Sequence, residues 1–350
     1  MVSEGTGTLK GLLKSNHGQE AHISQPIQAQ SCSFDRRAIP AAAVEGFWHA
    51  EDGWPVRRID WPLPDVGARG SILFLPGRGD CYEKYLETLD HWSKQGWRVT
   101  ASDWRGQAGS GRLGMDAVTG HVPDFAVWVA DLAWFWRRWV AETPGPHVIA
   151  GHSMGGHLVL RALAEKAIEP DGAILSAPML GFHSWGLPSW LMHSIAGLMT
   201  HLGDRRRPAW KWSEKPGEVP EGRDMLLTHD PERYGDELWW RQHRPELVMG
   251  PGSWGWVERA YASVRGLEKP GVLEAVESPV FVVATDHDKL VAYSAIERAV
   301  RRLPRGELFL FGEEAHHEVL REVDAIRNLA IEAIDGFLSL VASRGTKRSS

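Results

Sequence analysis

"HVIAGHSMGGHLVL", residues 147–160, is the stretch on which the reading of the chain turns. Two apolar residues, Val148 and Ile149, lead into Gly151-His152-Ser153-Met154-Gly155, and apolar residues at helical spacing follow. A Gly-x-Ser-x-Gly segment between a strand and a helix puts its serine on a sharp, strained turn where bulky neighbours would clash. Gly151 and Gly155 leave room for such a turn. A helix beginning at Met154 would aim its N–H groups and positive dipole end at Ser153. A glycine-rich turn without chemistry has the same pentapeptide; the flanking strand and helix favour a nucleophile.

Working outward, the same alternation recurs. "SILFLPG" (71–77), "RVTASDW" (98–104), "GAILSAP" (172–178), "VFVVATD" (280–286) and "ELFLFG" (307–312) are short apolar runs with turn signals at their ends. "GFWHAEDGWPVRRIDWP" reads as two strands about an Asp52-Gly53 turn. Helical patterns separate most of the apolar runs, including a tryptophan-rich one over about 123–142. Continuous apolar strands alternating with helices predict an α/β fold, a mostly parallel central sheet covered on both faces. Residues 41–179 and 271–342 are expected to form that core. Residues 180–270 lack the alternation and are rich in Pro, Gly, Trp and charge, so they are expected to form an inserted helical cap. Residues 1–40 are expected to be a disordered tail and 343–350 a polar tail.

Composition narrows the classes. The 350 residues are 43% hydrophobic with net charge −6, and no basic face is evident, which argues against nucleic acid as a partner. Two cysteines, Cys32 and Cys81, make no disulfide framework and suit a reducing compartment. The first residues have no apolar core of a signal peptide, and no run reaches the roughly 20 apolar residues of a membrane span. Eighteen tryptophans are unusual, and many fall between 181 and 260. They fit either an ordinary core or a lid with an aromatic surface.

A serine hydroxyl needs a base, and the base an acid to orient it. "VFVVATDHDKLV" offers Asp286 and Asp288, and "LFLFGEEAHHEVL" offers His316 and His317, each just after a strand and in the chain order Ser, Asp, His. Oxyanion donors are expected from the backbone N–H of Met154 and, in "PGRG" after the strand at 71–75, from that of Arg78. A metal site built from Asp286, His287, Asp288, His316 and His317 is the rival reading; it lacks the spaced histidines of a helical metal motif and leaves the serine turn unexplained.

In combination these segments resemble the α/β-hydrolase superfamily, and within it the monoglyceride lipase and bacterial lysophospholipase branch, above all the inner-membrane lysophospholipases. The resemblance rests on "PGRGDCYEKY", "DWRGQAGSGR", "GHSMGG", "LLTHDPERYGDELWWRQHRPELVMG", "DKLV" and "AHHEVLRE", in that order over about 45–340. It implies Asp288 as the acid and His317 as the base, with Asp286 and His316 as flanking residues. It implies an ester hydrolase acting on a single-chain acyl ester, a lysophospholipid or monoacylglycerol, with no metal and no organic cofactor. It also implies a cytoplasmic location with peripheral contact at the inner membrane. The chain departs from the family's RGQG at Ala108. A soluble carboxylesterase for short or aromatic esters, an amide hydrolase, and a non-catalytic binding protein are the alternatives. Arg205, Arg206 and Arg207 fit either a phosphate contact or a solvated cap face.

Overall fold

The computed structural model describes residues 11–15, 20–23, 34–63, 67–183, 188–211 and 222–348. Its centre is a ten-stranded sheet in the order β2-β1-β10-β9-β8-β7-β5-β6-β4-β3. The strands are β1 (Gly11–Ser15), β2 (Glu20–Ile23), β3 (Val44–His49), β4 (Pro55–Trp61), β5 (Ser71–Leu75), β6 (Arg98–Ser102), β7 (His147–His152), β8 (Gly172–Ser176), β9 (Val280–Thr285) and β10 (Gly306–Phe311). From β10 across to β6 every pairing is parallel, and antiparallel strands flank that block on both sides.

The parallel strands are buried on both faces because helices cover both. On β5, Leu73 and Leu75 enter one apolar cluster, while Ile72 and Phe74 enter the other. The helices are α1 (Leu86–Lys94), α2 (Phe125–Glu142), α3 (Met154–Ala164), α4 (Ser189–His201), α5 (Asp224–Leu227), α6 (Pro231–His243), α7 (Trp254–Leu267), α8 (Tyr293–Arg302) and α9 (Asp324–Arg348). Residues of α2, α3, α7 and α8 build the first cluster, and those of α1 and α9 the second. The tryptophan-rich helix α2 begins where Asp124 caps it, its side chain accepting from the Ala126 N–H at 2.8 Å.

The segment between β8 and β9 is mostly helical, with α4 to α7. Its tryptophans divide between the two readings. Trp240 and Trp256 are core, whereas Trp190 is 60% and Trp210 44% exposed. Trp185 and Trp212 lie outside the described residues.

Two expectations are corrected. The 1–40 stretch is not wholly a disordered tail: β1 and β2 form a hairpin, and β1 pairs antiparallel with β10 from Leu12↔Leu310 to Ser15↔Glu307. Backbone pairing to an otherwise open sheet edge needs no hydrophobic pattern, so periodicity gave no sign of it. Further along, Arg36 and Arg37 both bind Asp236 of α6 at 2.6 Å. At the other end α9 continues to Arg348, through most of the expected polar tail. A helix already nucleated on its buried face propagates readily through Arg and Lys, which are good helix formers.

Candidate active site

The strand order reverses between β5 and β7, so the loops leaving their carboxyl ends open onto one crevice. Ser153 sits there, between β7 and α3, with φ +51° and ψ −115°. That conformation is costly for a residue with a side chain. Surrounding bonds hold it: the Ser153 N–H donates to Ser176 O at 2.9 Å, and its carbonyl accepts from the N–H of Met179 at 2.9 Å and of His157 at 3.0 Å. The two motif glycines are required by space. A Cβ on Gly155 would lie 2.4 Å from Leu75 O, and one on Gly151 would lie 2.7 Å from the backbone of Gly155 and Gly156.

The loop after β5 abuts this elbow; a Cβ on Gly77 would lie 3.2 Å from Ser153 Cβ. The amides on either side of Arg78 are anchored. Gly77 N–H donates to Asp80 Oδ2 at 3.2 Å, and Gly79 N–H to Gln107 Oε1 at 2.7 Å. These two bonds anchor the turn on either side of the Arg78 peptide. Its guanidinium lies over the rings of Trp210 and Trp256 and donates to Gly250 O at 2.7 Å. Ala108 has φ +44°, a backbone region where glycine is at ease, which accounts for glycine at the matching position of RGQG.

Asp288 and His317 come together after β9 and β10, with Asp288 Oδ2 2.6 Å from His317 Nδ1. The other carboxylate oxygen of Asp288 accepts from the N–H of Leu290 at 2.7 Å and Val291 at 2.9 Å. Burial favours the neutral carboxyl, but the His317 charge and these hydrogen bonds hold Asp288 below the usual carboxylate range. Burial also disfavours the imidazolium of His317; the Asp288 charge and hydrogen bond outweigh it and raise its pKa. The His317 ring stands 4.8 Å from that of His152, the residue before Ser153. Burial and the charge of His317 push His152 down to about 4, so His152 is neutral at physiological pH.

The flanking candidates go elsewhere. Asp286 is exposed and meets its neighbour His287 at 2.5 Å. His316 stacks on His229, ring centroids 3.6 Å apart. His229, His316 and Glu322 bring potential metal-ligand atoms within 4.8 Å of one another. The Glu322 oxygens, however, already accept from the N–H of His316, His229 and Val323, and one also meets the His229 ring. Glu322 acts as a clamp that ties the loop after β10 to the segment before α6. Arg206 is paired with Asp204 at 2.7 Å, Arg205 donates to Pro123 O, and Arg207 to Met199 O.

Sequence reading missed the buried polar residues behind these loops: Asp80, Lys84, Gln107, Glu318 and Glu322. All lie inside the quoted motifs, but nothing in those motifs distinguishes a buried polar residue from a solvated one.

A strained serine at the switch point, with a histidine–carboxylate pair on the loops after β9 and β10, defines an α/β-hydrolase. Residues 67–324 match the family described as serine aminopeptidase, S33, and the chain belongs to it. Within the superfamily it falls in the lysophospholipase and monoglyceride lipase branch, and it is an enzyme of the hydrolase class. Lysophospholipase L2 of Escherichia coli (strain K12) is 30% identical over 333 residues, covering 89% of this chain and 94% of that protein. A monoacylglycerol lipase of Mycolicibacterium smegmatis is 25% identical, covering 74% of this chain and 85% of that one. Among solved structures, a soluble variant of monoglyceride lipase from Saccharomyces cerevisiae superposes with TM-score 0.68 at 19% identity, over 89% of this chain and 99% of that one. A carboxyl esterase from Bacillus coagulans gives 0.65 at 16% identity, over 87% and 100%.

Proposed function

We propose that the chain hydrolyses single-chain acyl esters, lysophospholipids or monoacylglycerols, through an acyl-enzyme on Ser153. The observation that carries this is the strained elbow at Ser153 (φ +51°) beside the 2.6 Å pair of His317 and Asp288. His317 Nε2 takes the proton of Ser153 Oγ as the oxygen attacks the ester carbonyl, while Asp288 holds Nδ1–H and stabilises the imidazolium. The N–H groups of Arg78 and Met154 hold the oxyanion, each worth on the order of 3 kcal/mol in the transition state. His317 gives the proton to the leaving alcohol, then draws one from the water that attacks the acyl-enzyme and returns it to Ser153 Oγ as the fatty acid leaves. No step calls for a metal or an organic cofactor.

The substrate class draws support from the similarity to lysophospholipase L2 and from the cap surface. On and beside α4, Trp190, Leu198 and Leu202 are 60%, 58% and 63% exposed, an apolar strip that suits peripheral contact with lipid. Among the described residues no helix is long and apolar enough to cross a membrane.

Hydrolysis of lysophosphatidylcholine, monooleoylglycerol and nitrophenyl esters from acetate to palmitate tests the reading. Preference for long single chains, lost in Ser153→Ala, is expected. Turnover confined to short esters would leave a soluble carboxylesterase.

A further inference from the structure

Three carboxylates from three separate parts of the chain converge on one buried ammonium. Lys84 Nζ lies 3.1 Å from Asp80, 2.9 Å from Glu237 and 2.5 Å from Glu318. All four side chains are 5% exposed or less. Asp80 belongs to the loop that carries Arg78, Glu318 directly follows His317, and Glu237 lies on α6 in the segment between β8 and β9. Resting on the hydrolase reading above, we infer that Lys84 is a positioning residue of the reaction, fixing the oxyanion loop, the base loop and helix α6 against one another.

Each arm has a physical route. Asp80 Oδ2 accepts from the Gly77 N–H at 3.2 Å and from Tyr85 Oη at 2.7 Å, so the carboxylate that Lys84 holds also sets the turn leading to the Arg78 peptide. Glu318 is held by Lys84 and by Arg321, while its own N–H donates to Leu227 O at 2.8 Å at the end of α5. A small shift of Glu318 moves His317 directly, because one peptide joins them. Glu237 closes the set from α6, where Arg241 and Arg223 also bind it.

Stability alone is a weak reason for such a cluster. Burying ions is costly, and apolar residues of similar volume often serve a core as well or better. A buried charge cluster excels at fixing orientation, since one geometry satisfies every partner. Catalysis by positioning rewards that: misplacement by about 1 Å can cost about a hundredfold in rate. Among the described residues, Asp288 and His152 also face His317, and the charges of Glu318 and Lys84 act on it as well.

The test uses the full chain as Lys84→Met, as the charge-balanced Lys84→Met/Glu237→Gln, and as Asp80→Asn, which keeps shape and loses charge. Folding is checked by melting curve and near-UV circular dichroism, and kcat and KM are measured on a nitrophenyl ester from pH 5 to 9. In every folded variant kcat is expected to fall about tenfold to a hundredfold with KM within about threefold. In the Lys84 variants the acid limb of kcat/KM moves to higher pH, because a positive charge opposing protonation of His317 is gone. A folded Lys84 variant with wild-type kcat and an unmoved limb overturns the inference, and so does wild-type kcat in Asp80→Asn. Wild-type protein whose turnover survives Ser153→Ala would instead sink the hydrolase reading.

Discussion

His317 Nδ1 lies 2.6 Å from Asp288 Oδ2, although the two residues sit 29 apart in sequence on loops leaving neighbouring strands. Asp286, only two residues earlier, points to His287. Asp288→Asn is therefore expected to lower kcat on a nitrophenyl ester by about 10³- to 10⁴-fold, and Asp286→Asn to leave it within about twofold. The reverse order would assign the acid to Asp286.

The pH profile follows from the same pair. In the proposed mechanism His317 must be neutral to accept the proton; burial opposes its charge, but the charge of Asp288 outweighs that and raises its pKa above 6.5. Activity is lost as pH falls through that raised value. Asp288→Asn removes the charge that raises it, so the acid limb of the residual kcat/KM should move to lower pH. An upward shift would mean that Asp288 does not govern His317.

The elbow stores strain, and relieving it should separate stability from turnover. Ser153→Gly accepts φ +51° without penalty and is expected to raise stability by about 1 kcal/mol while abolishing turnover. Gly155→Ala forces a methyl group to within 2.4 Å of Leu75 O and should cost about 3 kcal/mol or prevent folding. Melting curves of both variants check this; a Gly155→Ala protein as stable as the wild type would contradict the packing.

Removing residues 1–40 deletes the hairpin on β10 and the Arg36 and Arg37 contacts to Asp236. The melting temperature is expected to fall by several degrees, and the bared edge of β10 to promote association. Light scattering and a melting curve report both. An unchanged, monomeric protein would show that the hairpin contributes nothing.

The parallel sheet was legible because buried strands read as continuous apolar runs, and the elbow because two glycines bracket a serine between a strand and a helix. The sequence offered Asp286/Asp288 and His316/His317 as two pairs that spacing left open; family resemblance chose Asp288 and His317, the two side chains that lie 2.6 Å apart in the structure, and their catalytic roles stand as proposed. The β1–β2 hairpin was not legible, since edge pairing is made by backbone groups and leaves no side-chain period. Nor was the cluster around Lys84. Asp80, Glu237 and Glu318 are far apart in sequence, and a charged residue looks the same in a sequence whether solvated or buried against a partner. The extension of α9 to Arg348 was hidden in the same way, behind residues that suit a tail and a helix equally.

The most direct test of the central claim is intact-mass measurement after treatment with a serine-directed fluorophosphonate, followed by peptide mapping. The wild-type chain should take up a single label on Ser153, and Ser153→Ala should take up none. Label elsewhere in the wild type, or label retained in Ser153→Ala, would contradict Ser153 as the nucleophile.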